Sequence, residues 1–123
     1  MRSLLFSFLL APFIAFGSSS IQEEFVGTWE VTGTEINSKE PKPFSIELQK
    51  KGIAISNWGK GEKGKWKIVG ERAEIRWNDG WIEFIYKEGH HYKKIGYAPG
   101  SPLDGVPTNE SKAKKIKTPN KKW

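Results

Sequence analysis

The chain has 123 residues, no cysteine and a net charge of +6. Without a thiol, disulfide frameworks, cysteine nucleophiles and thiolate metal sites are excluded, and the length suits one domain rather than several. All 14 acidic side chains and 13 of the 20 basic ones lie in residues 21–111, so that span is nearly neutral and the surplus belongs to Arg2 and to six lysines beyond residue 111.

In chain order, Met1-Arg2-Ser3 carries one positive charge and Leu4 to Phe16 is apolar apart from Ser7 and Pro12; Ala15, Gly17, Ser18, Ser19 and Ser20 are small. A charged start, a short apolar run and a small-residue exit make a secretory signal peptide. The run falls short of the ~20 residues that a membrane-spanning helix needs. Residues 1–17 are therefore read as a signal peptide, with cleavage after Gly17 or within Ser18 to Ser20. The mature chain is expected to be secreted or periplasmic and to keep no transmembrane segment.

Residues 18–111 are read as a single β domain. From Phe25 to Tyr97 apolar and polar residues alternate with period two, and Trp, Ile, Val, Phe, Tyr and Thr are abundant. Turn residues recur at Gly52, Gly59, Gly61, Gly64, Gly70, Asp79-Gly80 and Glu88-Gly89. The pattern predicts strands at 25–36, 43–49, 53–58, 65–69, 73–78, 81–86 and 91–97. The fold class is all-β: an antiparallel meander of about seven strands forming a small barrel or a strongly twisted sheet. Gly-x-Trp-x-(Val/Ile)-x-Gly occurs twice, at 27–33 and 64–70, and is either chance similarity between strands or the trace of two related half-sheets.

Two hairpins can be set in register. A two-residue Gly70-Glu71 loop of type II′ pairs Ile68 with Ala73, Trp66 with Ile75 and Lys67 with Glu74. At Trp77-Asn78-Asp79-Gly80-Trp81, a three-residue loop would set Trp77 against Trp81 but Ile75 against Glu83. A two-residue Asp79-Gly80 loop instead pairs Ile75 with Phe84, Ala73 with Tyr86 and Arg76 with Glu83, and is preferred because favourable cross-strand pairs add up. It puts Trp77 on the inner face with Ala73, Ile75, Ile82, Phe84 and Tyr86, and Trp81 and Ile85 on the outer one. The last hairpin, at Glu88-Gly89, permits more than one register.

Beyond Tyr97, Pro99, Gly100, Pro102, Gly105 and Pro107 mark a long structured loop, and 110–116 reads as a helical turn or a final strand. Residues 112–123 form a basic tail, expected to be disordered. Its Lys112, Lys114, Lys115, Lys117, Lys121 and Lys122 are candidates for contact with an anionic surface.

Candidate chemistry is sparse. His90 and His91 are adjacent, so in a strand they point to opposite faces, and no third histidine completes a metal site. Asp79 suits its turn and Glu83 suits Arg76, which leaves no carboxylate pair for hydrolysis; no serine elbow is present. No catalytic residue, metal or cofactor is assigned. Nucleic acid is an unexpected partner for an exported, nearly neutral fold. Six tryptophans are more than the core requires. Trp29, Trp66 and Trp77 suit the core, while Trp58, Trp81 and Trp123 are surplus and could stack on ligands.

Gly27-Thr28-Trp29 resembles the opening of lipocalin- and avidin-type barrels, whose tryptophan packs across the closed end. A broader resemblance, over residues 25–116, is to small secreted bacterial β-proteins of unassigned activity. These share Gly-x-Trp, the Trp77-x-Asp79-Gly80-Trp81 hairpin, and the Pro99-Gly100…Pro107-x-Asn109 segment. It implies the fold but carries no substrate.

The sequence therefore points to a secreted, non-enzymatic binding or structural module. Trp81, Trp58 and Tyr97 are its candidate ligand contacts, with a glycan or anionic cell-surface polymer as partner. The alternative is a lipocalin-like carrier that holds a small apolar ligand among Trp29, Trp66, Trp77 and Phe84.

Overall fold

The computed structural model describes residues 21–34 and 39–116. Residues 1–17, expected to be a signal peptide, the 35–36 end of the first predicted strand, and Lys117, Lys121, Lys122 and Trp123 lie outside them. After a short helix over residues 21–25 come eight strands: β1 (Gly27–Gly33), β2 (Lys42–Leu48), β3 (Ile53–Ser56), β4 (Glu62–Val69), β5 (Arg72–Trp77), β6 (Ile82–Glu88), β7 (His91–Tyr97) and β8 (Asn109–Ile116). Each pairs antiparallel with the next, and β8 returns to β1 to close the barrel.

Seven strands correspond to the seven predicted, except that the first starts at Gly27, with Phe25 belonging to the helix, and the eighth corrects the tail boundary. Residues 112–116 are not tail: Ala113 is buried in the core, and Lys115 Nζ donates to the Glu24 carbonyl at 2.8 Å while standing 5.7 Å from the Trp29 ring. Lys112 and Lys114 are exposed on β8.

The alternation predicted for half-buried strands appears as an inside and an outside. Trp29, Val31, Ile46, Leu48, Ala54, Trp66, Ala73, Ile75, Trp77, Ile85 and Ala113 fill the interior, with Phe25 of the helix beneath them. The helix end of the barrel is shut by packed rings. Trp29 is fully buried and its indole N–H donates to the Phe25 carbonyl at 2.9 Å; Tyr92 meets Trp29 at 4.9 Å and Phe25 edge-on at 5.9 Å. Both Gly-x-Trp copies, on β1 and β4, turn their tryptophan inward.

The β4–β5 register is the predicted one, with Trp66 opposite Ile75 and Ile68 opposite Ala73. Its turn is type I′ rather than II′, because φ is positive at Gly70 (58°) and also at Glu71 (67°). The β5–β6 register differs from the preferred reading. Ile75 faces Glu83, Ala73 faces Ile85, and Trp77 N–H donates to the Trp81 carbonyl across the three-residue loop 78–80. Gly80, at φ 101°, supplies the backbone such a loop needs.

The faces of β6 are thereby exchanged: Trp81, Glu83 and Ile85 point inward with Trp77, and Ile82, Phe84 and Tyr86 point outward. Arg76 pairs with Glu74 at 2.6 Å, not with Glu83. The outward residues do not lie bare. Phe84, Ile95 and Tyr97 form a second buried cluster, Arg72 covers Phe84 at 4.2 Å, and the proline-rich loop is tied down by Tyr97 Oη donating to the Gly105 carbonyl at 3.3 Å.

Candidate functional site

Large side chains fill the barrel near the helix, but not at the other end. There Gly33 ends β1, Ser56 ends β3, Glu62 opens β4, Trp77 ends β5, Trp81 precedes β6 and Asn109 opens β8, around a cavity of about 340 Å³. An eight-stranded barrel has an interior just wide enough to be filled by side chains or to hold one small ligand. This chain does the first at its closed end and leaves room for the second at its mouth.

Four aromatic residues wall the cavity: Phe44, Trp58, Trp77 and Trp81. Phe44 and Trp58 pack edge-to-face with centroids 4.9 Å apart. They do so over Gly33, where a Cβ would stand 3.0 Å from the Trp58 ring and 3.1 Å from that of Phe44. Trp58 is fixed by its backbone N–H donating to Ser56 Oγ at 3.1 Å. Trp81 is fixed by its backbone N–H donating to Asp79 Oδ1 at 3.1 Å, so the turn aspartate orients the ring that follows it.

The floor is polar. Lys94 Nζ, on a side chain only 1% exposed, lies 3.3 Å from Glu83 Oε2 and 3.1 Å from Asn109 Oδ1. Glu83 Oε1 accepts the Trp77 indole N–H at 2.8 Å. A buried ion pair loses hydration that only good geometry and further hydrogen bonds offset, and Trp77 and Asn109 supply those bonds. Gly96 makes the cluster possible. It pairs with Glu83 on one side and Asn109 on the other, and a Cβ there would stand 2.7 Å from Asn109 Oδ1.

Of the residues expected at a site, Trp81 and Trp58 come together here, on the inner wall rather than the outer surface. Tyr97 is elsewhere, buried beneath the proline-rich loop. Of the carrier set, Trp77 lines the cavity, Trp29 and Trp66 belong to the packed core, and Phe84 is outside the barrel. Asp79 and Glu83, set aside as a carboxylate pair, both line the cavity, with Glu83 committed to Trp77 and Lys94. His90 and His91 are exposed at the β6–β7 turn, and no group of three potential metal ligands occurs among the described residues.

Sequence reasoning missed Lys94, Asn109, Ser56, Phe44 and Glu62. A signal existed for Lys94: two consecutive lysines in a two-faced strand put one of them inside. Asn109 carried none, since its role depends on β8 pairing with β7.

No protein-family model, curated protein or solved structure matches the chain. No helix among the described residues is long and apolar enough to cross a membrane.

Proposed function

We propose that this protein is an exported small-ligand-binding barrel, non-enzymatic, whose site is the mouth bounded by Trp58, Trp77 and Trp81. One observation carries the reading: the interior holds a cavity of about 340 Å³ walled by aromatic rings over a hydrogen-bonded ion pair. Binding sites for small molecules typically measure roughly 300–1,000 Å³ and combine apolar walls with a few placed polar groups. The ion pair reinforces it, because apolar side chains of similar volume would fill the same space without the cost of desolvating two charges. Export is supported by the N-terminal segment. The exposed Lys112 and Lys114, with Lys117, Lys121 and Lys122, support weak, salt-sensitive attachment to an anionic surface alongside ligand carriage.

The test is a fluorescence titration with N-phenyl-1-naphthylamine, a neutral apolar dye that brightens on leaving water. Saturable enhancement is expected. Trp81→Ala should weaken it about tenfold, corresponding to a lost ring contact of about 1 to 1.5 kcal/mol, in a variant whose circular dichroism shows the fold retained, since Trp81 packs against the core yet is only half-buried. No saturable binding, or equal affinity in the variant, contradicts the reading.

A further inference from the structure

The polar groups that line this cavity are sorted by burial, and the sorting names a ligand class. The most buried free groups are donors. The Lys94 ammonium has three N–H bonds and uses two, on Glu83 and Asn109. Ser56, 5% exposed, accepts from Trp58 N–H, and its own O–H has no acceptor among the described residues. The amide N–H groups of the half-buried Asn109 likewise have no acceptor among the described residues. The more exposed carboxylates add negative charge. Glu62 is half-buried and Asp79 exposed, both line the cavity, and neither makes an ion pair among the described residues.

Charge follows the same order. Lys94 and Glu83 cancel each other at the floor, so Glu62 and Asp79 leave the lining with a net charge of −2. The same lining holds the rings of Phe44, Trp58, Trp77 and Trp81, whose π faces attract cations as well as flat apolar bodies.

We infer that the ligand is a flat-bodied organic cation, seated with a hydrogen-bond acceptor against Lys94, its ring between the tryptophans and its ammonium at Glu62 and Asp79. This rests on the mouth being a ligand site, as proposed above. An anionic ligand would be repelled by these two carboxylates and gain little from Lys94, whose charge Glu83 already answers. A purely apolar ligand would leave the buried donors of Lys94 and Ser56 without acceptors.

Three probes of one shape separate these cases by calorimetry: tyramine, neutral N-acetyltyramine and anionic 3-(4-hydroxyphenyl)propionate. Tyramine is expected to bind about tenfold more tightly than either of the others at low salt, with the advantage shrinking as salt is added. In the double variant Glu62→Gln, Asp79→Asn the preference should fall to about one. The asparagine side chain introduced in place of Asp79 keeps the oxygen that orients Trp81, and circular dichroism checks the fold. A preference for the neutral or anionic probe, no binding by any of the three, or a cation preference that survives the double variant overturns the inference. Saturable binding of N-phenyl-1-naphthylamine in the same preparation shows which reading has failed. If the dye binds, only the ligand class is wrong; if it does not, the site itself is.

Discussion

At the closed end, the Tyr92 hydroxyl donates to a Glu24 carboxylate oxygen, so one hydrogen bond ties β7 to the helix that plugs the barrel. Burial of the phenol, followed by the Glu24 hydrogen bond and charge, pushes its pKa up from 10.0 to about 12. The folded state therefore holds this proton more tightly than the unfolded chain does. Its contribution to stability is fully present below pH 10 and is lost as pH rises from 10 toward 12, because the folded protein binds more protons there. Over that interval the thermal midpoint of the wild type is expected to fall more steeply than that of Tyr92→Phe. Parallel curves from thermal melts would assign the alkaline loss to other groups. The mouth has a comparable single-residue dependence in Gly33 and Gly96. Neither needs an unusual φ, and both are needed for what packs against them: two rings at Gly33, and the Asn109 amide at Gly96.

Among the elements, β6 carries the main lesson. Ile82-Glu83-Phe84-Ile85-Tyr86 is apolar on both faces, so alternation does not decide which way it turns. Pairwise scoring favours Arg76 with Glu83. That choice overlooks partners further along the sheet: Glu83 is answered by Lys94 of β7, held in turn by Asn109 of β8. The unusual face, with aromatic residues outside and a carboxylate inside, is sheltered because Phe84, Ile95 and Tyr97 pack together, Arg72 covers Phe84, and Tyr97 is bonded to the 98–108 loop. The hairpin between β4 and β5 was legible because its inner face is uniformly apolar, with Trp66, Ile68, Ala73 and Ile75 marking it. Lys94→Met leaves Glu83 buried without a counter-charge and is expected to cost about 3–5 kcal/mol. Adding Glu83→Gln, which keeps an acceptor for Trp77 and removes the stranded charge, should recover most of that loss. Urea unfolding gives both numbers, and additive losses would mean the two side chains are not coupled.

For the whole molecule, the all-β class and seven strands could be read from periodicity and turn spacing, whereas closure could not. The residues β8 turns inward are Asn109, Ser111, Ala113 and Lys115, only one of them apolar, and its lysines resemble a solvated tail. What makes it a strand is pairing with β1, some eighty residues earlier, which no local pattern records. The site was half legible for the same reason. Surplus tryptophans pointed to Trp58 and Trp81, but their convergence on one cavity requires the barrel to close and β6 to turn its other face. The most direct check of the central claim uses the six tryptophans as position markers, since each indole N–H gives its own proton–nitrogen NMR signal. On titration with tyramine or N-phenyl-1-naphthylamine, the signals of Trp58, Trp77 and Trp81 are expected to move together and saturate, while those of Trp29 and Trp66 in the packed half stay in place. Movement confined to Trp29 and Trp66, or no saturable movement at the mouth, would contradict a ligand site there.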